Sequence, residues 1–213
     1  NGGISRYKKF NYFFENIAMK NNIDRDSICL DNLIKNYSKI VKNELERCQI
    51  CSHIIDYRKY SKAKWFIVSG SDQKELNEVL KKRNLAKHFD GGIYGSPLSK
   101  DEIFRIIFKD KIIKRSESIY IGDSKYDYIS AKKIGIDFVF ISKWSEFKTL
   151  KSFAEENGID YYEEFADLIW FTLNKNKKIF NFGSNFKIER KFTILLQGIM
   201  FTLNRRCYLL FIF

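Results

Sequence analysis

The chain has 213 residues, room for one substantial domain and a smaller appendage but not for two full-sized domains. Apolar residues make up 45% and charged residues 30%, a balance that argues against general disorder and against a polytopic membrane protein. The formal charge of +12 comes from lysines spread along the chain rather than from a basic block, so it reads as background composition whose functional use is steering of anionic small molecules.

The first sixty residues read as helix. Phe10, Phe13, Phe14 and Ile17 recur at three- and four-residue spacing, and Ile28, Leu33, Ile34, Tyr37, Ile40, Val41 and Leu45 continue the pattern in a second segment. Cys48, Cys51 and His53 could offer three soft metal ligands, but a fourth is missing and the segment is helical, so buried cysteines are expected instead of a zinc site. Cys29 and Cys207 complete the four, no secretory signal is legible ahead of them, and a reduced, cytoplasmic setting is expected.

A Lys- and Tyr-rich connection, 57–64, leads into a different grammar. Trp65-Phe66-Ile67-Val68 is an apolar run of strand length ending in Ser69-Gly70-Ser71, after which Asp72 and Glu75 form a capping-box pattern opening a helix to about Arg83. A short strand over 92–94 passes through Gly95-Ser96-Pro97 to a second capping box, Ser99 with Glu102, and a helix carrying Ile103, Phe104, Ile106 and Ile107. Further strands are predicted over 118–121 and 138–141, with a helix from about Tyr126 to Ile134 between them. Strands and helices alternating in this way imply an α/β fold, a Rossmann-like and largely parallel sheet with helices on both faces. Ligands of such sheets bind at the carboxyl ends of the strands, where Ser69 and Asp123 fall.

The tail from about Asn174 is less legible. Its two apolar runs, Phe192 to Leu203 and Cys207 to Phe213, are separated by Asn204, Arg205 and Arg206, and neither reaches the roughly 20 residues that span a bilayer, so a packed terminal element or a foreign tail is expected and no membrane association. The organisation read from the sequence is therefore a helical cap over 1–60, an α/β core over 61–173 and a tail over 174–213.

The chemistry concentrates at Ile119 to Asp127, a buried strand that delivers Asp123 and Asp127 around a glycine turn to one place above the sheet. Two carboxylates there suit Mg²⁺, which takes oxygen ligands and keeps several waters; the plainer reading is a turn former and a helix N-terminal acid. Ser69 can donate to a phosphoryl oxygen while Gly70 and the following helix start supply backbone N–H groups, although a Ser before a helix is often only a cap. Lys100 lies at a helix start, unfavourable for a cation, so its position asks for an anionic partner; a solvated surface Lys is the alternative.

In their order, the strand-end Ser69, the helix-start Lys100 and the strand-end Gly122-Asp123 with Asp127 resemble the second, third and fourth motifs of the haloacid dehalogenase superfamily. The likeness covers roughly Lys64 to Ile141, and the preceding helices resemble the cap inserted in that superfamily after its first motif. Gly2-Gly3-Ile4-Ser5-Arg6 is similar to the Gly-x-Ser-Arg stretch in caps of phosphoglycolate-phosphatase-like and phosphoglucomutase-like members, whose Arg faces the substrate. The resemblance implies Ser69, Lys100 and Asp123 as catalytic groups; Arg6, Ser69, Gly70 and Lys100 as substrate contacts; and Asp123 with Asp127 as Mg²⁺ ligands, Asp123 the direct one. It also implies a first motif, Asp-x-Asp on an apolar strand, that supplies the nucleophile. Asp56 and Asp72 lack both the strand and the spacing, so the nucleophile is expected upstream of Asn1, in a parent protein of which this chain is a fragment.

The expected activity is Mg²⁺-dependent hydrolysis of a small phosphorylated metabolite through an aspartyl-phosphate. A phosphomutase would use the same groups. Carbon–halogen hydrolysis needs no metal, and the Asp123/Asp127 pair speaks against it. A non-catalytic pseudoenzyme or a nucleic-acid-binding protein is the rival from another class; scattered lysines without a nucleic-acid motif disfavour the latter.

Overall fold

A computed structural model describes residues 5–18, 29–51, 53–109, 113–168, 193–196 and 201–202. In chain order the helices are α1 (Arg6–Phe13), continued by a π-helical turn over Phe14–Ala18, and α2 (Leu30–Arg47). A short strand β1 (Gln49–Ile50) precedes α3 (Ile54–Tyr60). Then follow β2 (Lys64–Asp72), α4 (Gln73–Lys82), β3 (Gly92–Ser96), α5 (Lys100–Phe108), β4 (Ser118–Gly122), α6 (Lys125–Ile134), β5 (Asp137–Ile141), α7 (Leu150–Glu156) and β6 (Tyr161–Tyr162). Two further strands, β7 (Thr193–Leu196) and β8 (Phe201–Thr202), come from the tail.

The main sheet has the order β3-β2-β7-β4-β5-β6, and every pairing in it is parallel, as the alternating pattern predicts. β8 instead pairs antiparallel with β1. Side chains on a strand alternate between faces, and the two apolar clusters follow that period. Trp65, Ile67, Ile119, Ile121, Val139 and Ile141 face a cluster completed by α4, α2 and α3. Phe66, Val68, Tyr120, Phe138 and Phe140 face a cluster completed by α5, α6 and α7. Each such side chain buried contributes about 1.5–3 kcal/mol.

The composition change at residue 60 is not a break in packing. Val41 and Leu45 of α2, Cys48, Cys51 and Ile54 belong to the same apolar cluster as Trp65 and Leu80. Arg83, just past α4, donates to the carbonyls of Leu45 and Cys48 at 2.7 Å each, satisfying acceptors that the end of α2 leaves over. Cys48 and Cys51 are free thiols inside this cluster, as expected, and burial pushes the Cys51 thiol up to about 12. Among the described residues no group of three or more His, Cys, Asp or Glu is placed to hold a metal.

Two expectations need correcting. β2 does not stop at Val68; it continues through Ser69-Gly70-Ser71 to Asp72 with a register irregularity against β3 between Val68 and Asp72. The first capping box is only half formed: Asp72 accepts from the Glu75 N–H at 2.9 Å, but the Glu75 side chain is drawn away by Arg6. The second, Ser99 with Glu102, forms in full. Of the tail, Thr193–Leu196 becomes a strand, while the apolar run Cys207 to Phe213 lies outside the described residues. Among the described residues no helix is long and apolar enough to cross a membrane.

Candidate active site

β7 lies between β2 and β4, with Leu196 paired to Ile67 on one side and to Ile121 on the other. Ser69 and Asp123 each come two residues further on, so both emerge at the same end of the sheet. Ser69 is buried, and its oxygen accepts from the Ser71 N–H at 3.1 Å, which leaves the hydroxyl proton to be donated. Gly70 is fixed beside it, its carbonyl accepting from the Ser96 hydroxyl at 2.7 Å.

The first turn of α6 packs against the end of β4 at Gly122. A Cβ there would lie 2.7 Å from Asp127 Cβ, so only glycine lets the Asp127 carboxylate tuck beneath the turn. Ser124 caps the helix reciprocally: its hydroxyl accepts from the Asp127 N–H, and Asp127 Oδ2 accepts from the Ser124 N–H at 3.0 Å and hydroxyl at 2.5 Å. The other oxygen, Oδ1, accepts from the Tyr120 hydroxyl at 2.8 Å and from Lys100. Lys100 and Asp127 are 2% and 0% exposed, a fully enclosed ion pair. The rings of Tyr126 and Tyr120 lie 5.5 and 5.7 Å from the ammonium.

This alters the roles expected of two residues. Lys100 has the anionic partner that its helix-start position asked for, and that partner is Asp127. Asp127 in turn has both oxygens engaged by protein donors, so in this geometry it positions Lys100 and does not sit as a metal ligand beside Asp123. The Ser124-x-x-Asp127 spacing is itself a capping pattern and could have shown which way the Asp127 carboxylate turns.

Asp123 is the acid at the strand end. Burial first, then the nearby Asp127, push its carboxyl up to about 7, against the opposing pull of Lys100. Its backbone carbonyl accepts from the Ser145 hydroxyl, which anchors the loop after β5 and brings Glu146 within electrostatic reach of Asp123. Asp123 is half-buried and offers a hard oxygen donor, which a divalent cation could use as one ligand among waters and substrate oxygens. Mg²⁺, which needs only one or two protein carboxylates, is the natural match.

Arg6 is placed otherwise than expected. Its guanidinium is 1% exposed and grips both Glu75 oxygens, at 2.6 and 2.9 Å, while a third contact reaches the Ser38 hydroxyl at 2.6 Å. It also stacks 5.0 Å over the Tyr37 ring. Burial alone would lower its basicity, but the bond and charge of Glu75 more than offset that. Arg6 thus ties α1 to α4 through Glu75, a partner far along the chain that no local pattern reveals. Tyr7 adds a second tie, donating to Asp72 at 2.8 Å.

Lys9, which the sequence pattern did not single out, is half-buried in the next turn of α1. Burial lowers it to about 8; Glu146 opposes this, Lys100 adds to it, and Asp123 opposes it. Only its spacing of three residues from Arg6 could have marked it as sharing that face.

The sequence pattern of the family described as haloacid dehalogenase-like hydrolase matches residues 3–141. Among solved structures, a haloacid dehalogenase-like family hydrolase from Streptococcus pneumoniae is similar at a TM-score of 0.54 and 20% identity, over 72% of this chain and 74% of its own. A HAD-superfamily hydrolase from Ehrlichia chaffeensis aligns at a TM-score of 0.47 and 21% identity, over 80% of this chain and 89% of its own. No curated protein matches. With the family pattern running from the start of α1 to the end of β5, the chain belongs to the haloacid dehalogenase-like hydrolases.

Proposed function

We propose that the protein of which this chain forms part is a Mg²⁺-dependent phosphatase acting on a small phosphate monoester. The observation that supports this most is the placement of a buried hydroxyl, a buried ammonium and a half-buried strand-end carboxylate around the carboxyl ends of β2 and β4. Ser69 donates to one equatorial phosphoryl oxygen, with backbone N–H groups around Gly70 beside it. Lys100, aimed by Asp127, balances the negative charge of phosphoryl group and nucleophile. Asp123 would hold Mg²⁺, whose contribution when bound is to neutralise charge on the phosphoryl oxygens.

The attacking group in this reading is the Asp carboxylate of the family's first motif. Its oxygen bonds to phosphorus as the ester oxygen leaves with a proton, giving an aspartyl-phosphate that water then hydrolyses to free phosphate.

The test is hydrolysis of a generic aryl phosphate by the parent protein, with and without Mg²⁺. Activity should need the metal and should be lost in Asp123→Asn. Full turnover in that variant would overturn the metal assignment.

A further inference from the structure

The loop after β5 runs along the carboxyl end of the sheet and is pinned to both of its faces. Trp144 packs against the apolar cluster that α2, α3 and α4 complete, and Phe147 packs against the one that α5, α6 and α7 complete. The Phe147 ring lies 6.3 Å from Phe140 and 5.3 Å from Phe153. At the start of the loop, the Ser142 N–H donates to the Tyr162 carbonyl at 2.8 Å and the Lys143 N–H to the Glu163 carbonyl at 3.0 Å.

Ser145 stands between the two anchored rings, and its hydroxyl bridges two elements. It donates its one proton to the Asp123 carbonyl and accepts from the Phe147 N–H at 3.1 Å. Asp123 is the single residue between Gly122, which ends β4, and Ser124, which caps α6. The close approach of Gly122 to Asp127 holds the chain on one side of it, and the reciprocal Ser124 cap holds it on the other. The Ser145 bond fixes the peptide plane between Asp123 and Ser124. A turn of that plane changes the Asp123 backbone angle and with it the direction of the side chain.

We propose that Ser145 is a positioning residue for Asp123, holding its main chain so that the carboxylate meets a divalent cation in one direction. This rests on the reading of Asp123 as the metal carboxylate. Partners that orient a metal ligand commonly change metal affinity by about 10–100-fold when lost. Ser145 acts through the backbone of the ligand, so the lower end of that range is expected.

The test is Mg²⁺ binding to the parent protein by titration calorimetry, which reads the site without turnover. Ser145→Ala should weaken binding about tenfold, and Ser145→Thr, which keeps the hydroxyl, should stay near the wild type. Ser142→Ala is the control: the Ser142 hydroxyl donates to the Tyr162 carbonyl at 3.2 Å in the same loop, and its loss should leave Mg²⁺ affinity unchanged. Equal weakening in Ser142→Ala and Ser145→Ala would mean that the loop merely needs to be folded, and the proposal would fail. It fails too if Ser145→Thr binds as weakly as Ser145→Ala, or if Ser145→Ala binds like the wild type while Asp123→Asn does not bind; the metal reading then stands without it. Absence of Mg²⁺ binding by the wild type, or undiminished binding by Asp123→Asn, overturns the metal reading and this role together.

Discussion

The Tyr120 hydroxyl donates at 2.8 Å to the same Asp127 oxygen that accepts from Lys100. Burial and the neighbouring carboxylate push the Tyr120 phenol well above 10, so it remains a donor throughout the working pH range. Replacing it by Phe keeps the ring contacts with Phe104 and Phe138 and removes one bond to a buried carboxylate. Tyr120→Phe should cost about 1.5–3 kcal/mol in urea unfolding, as loss of a hydrogen bond to a charged group does.

Lys100→Met leaves Asp127 enclosed without its counter-charge. A loss of about 3–5 kcal/mol is expected, measured by denaturant unfolding. Adding Asp127→Asn should recover part of it, since the remaining amide carries no net charge. Equal stability of the single and double variants would show that the ion pair contributes nothing through its charge.

The Arg6–Glu75 bond ties the first helix to the start of α4. Glu75→Gln keeps the shape and removes the charge that Arg6 faces, and a destabilisation of about 3 kcal/mol follows for a buried guanidinium. A double-mutant cycle with Arg6→Met should return a coupling of about 1–3 kcal/mol. Both can be read from thermal or urea transitions.

Much of the sheet was legible because strands covered on both faces are continuous apolar runs, as at Trp65 to Val68, Ile119 to Ile121 and Phe138 to Ile141. Ser99 with Glu102 was readable for a related reason: a capping box is a local pact between residues three apart. What escaped depends on partners far apart in the chain. Glu75 leaves its cap for Arg6, Asp127 turns inward to Lys100, and Lys9 reaches groups on three elements, none of which spacing records. β7 was hidden because its four residues are an ordinary apolar stretch until β2 and β4 lie either side of it. α7 and β6 were also missed, being short elements without strong periodicity.

Asp123 ionises near 3.8 in an unfolded chain and near 7 in the folded protein. A folded-state value raised in this way contributes stability that is complete below about pH 4 and is lost as the pH rises through about 7. In metal-free buffer the wild type should therefore lose up to ~1.4 kcal/mol per pH unit across that window relative to Asp123→Asn. On the proposed reading Mg²⁺ binds the ionised form, so it should flatten the falling limb for the wild type and leave the variant unchanged. Unfolding curves from pH 4 to 8, with and without Mg²⁺, measure both.

β2 and β4 do not touch each other; each is bonded to β7, which comes much later in the chain. The order of assembly follows from that. During synthesis β3 can join β2, and β5 can join β4, while the segments on either side of the gap wait for a third strand to close them into one sheet. Ser69 belongs to one of these halves and Asp123 to the other, so the two groups share one sheet only through β7. Long-range pairing of this kind makes for slow folding. It also means that whatever occupies the central position governs whether Ser69 and Asp123 face the same point, even with no reactive side chain of its own.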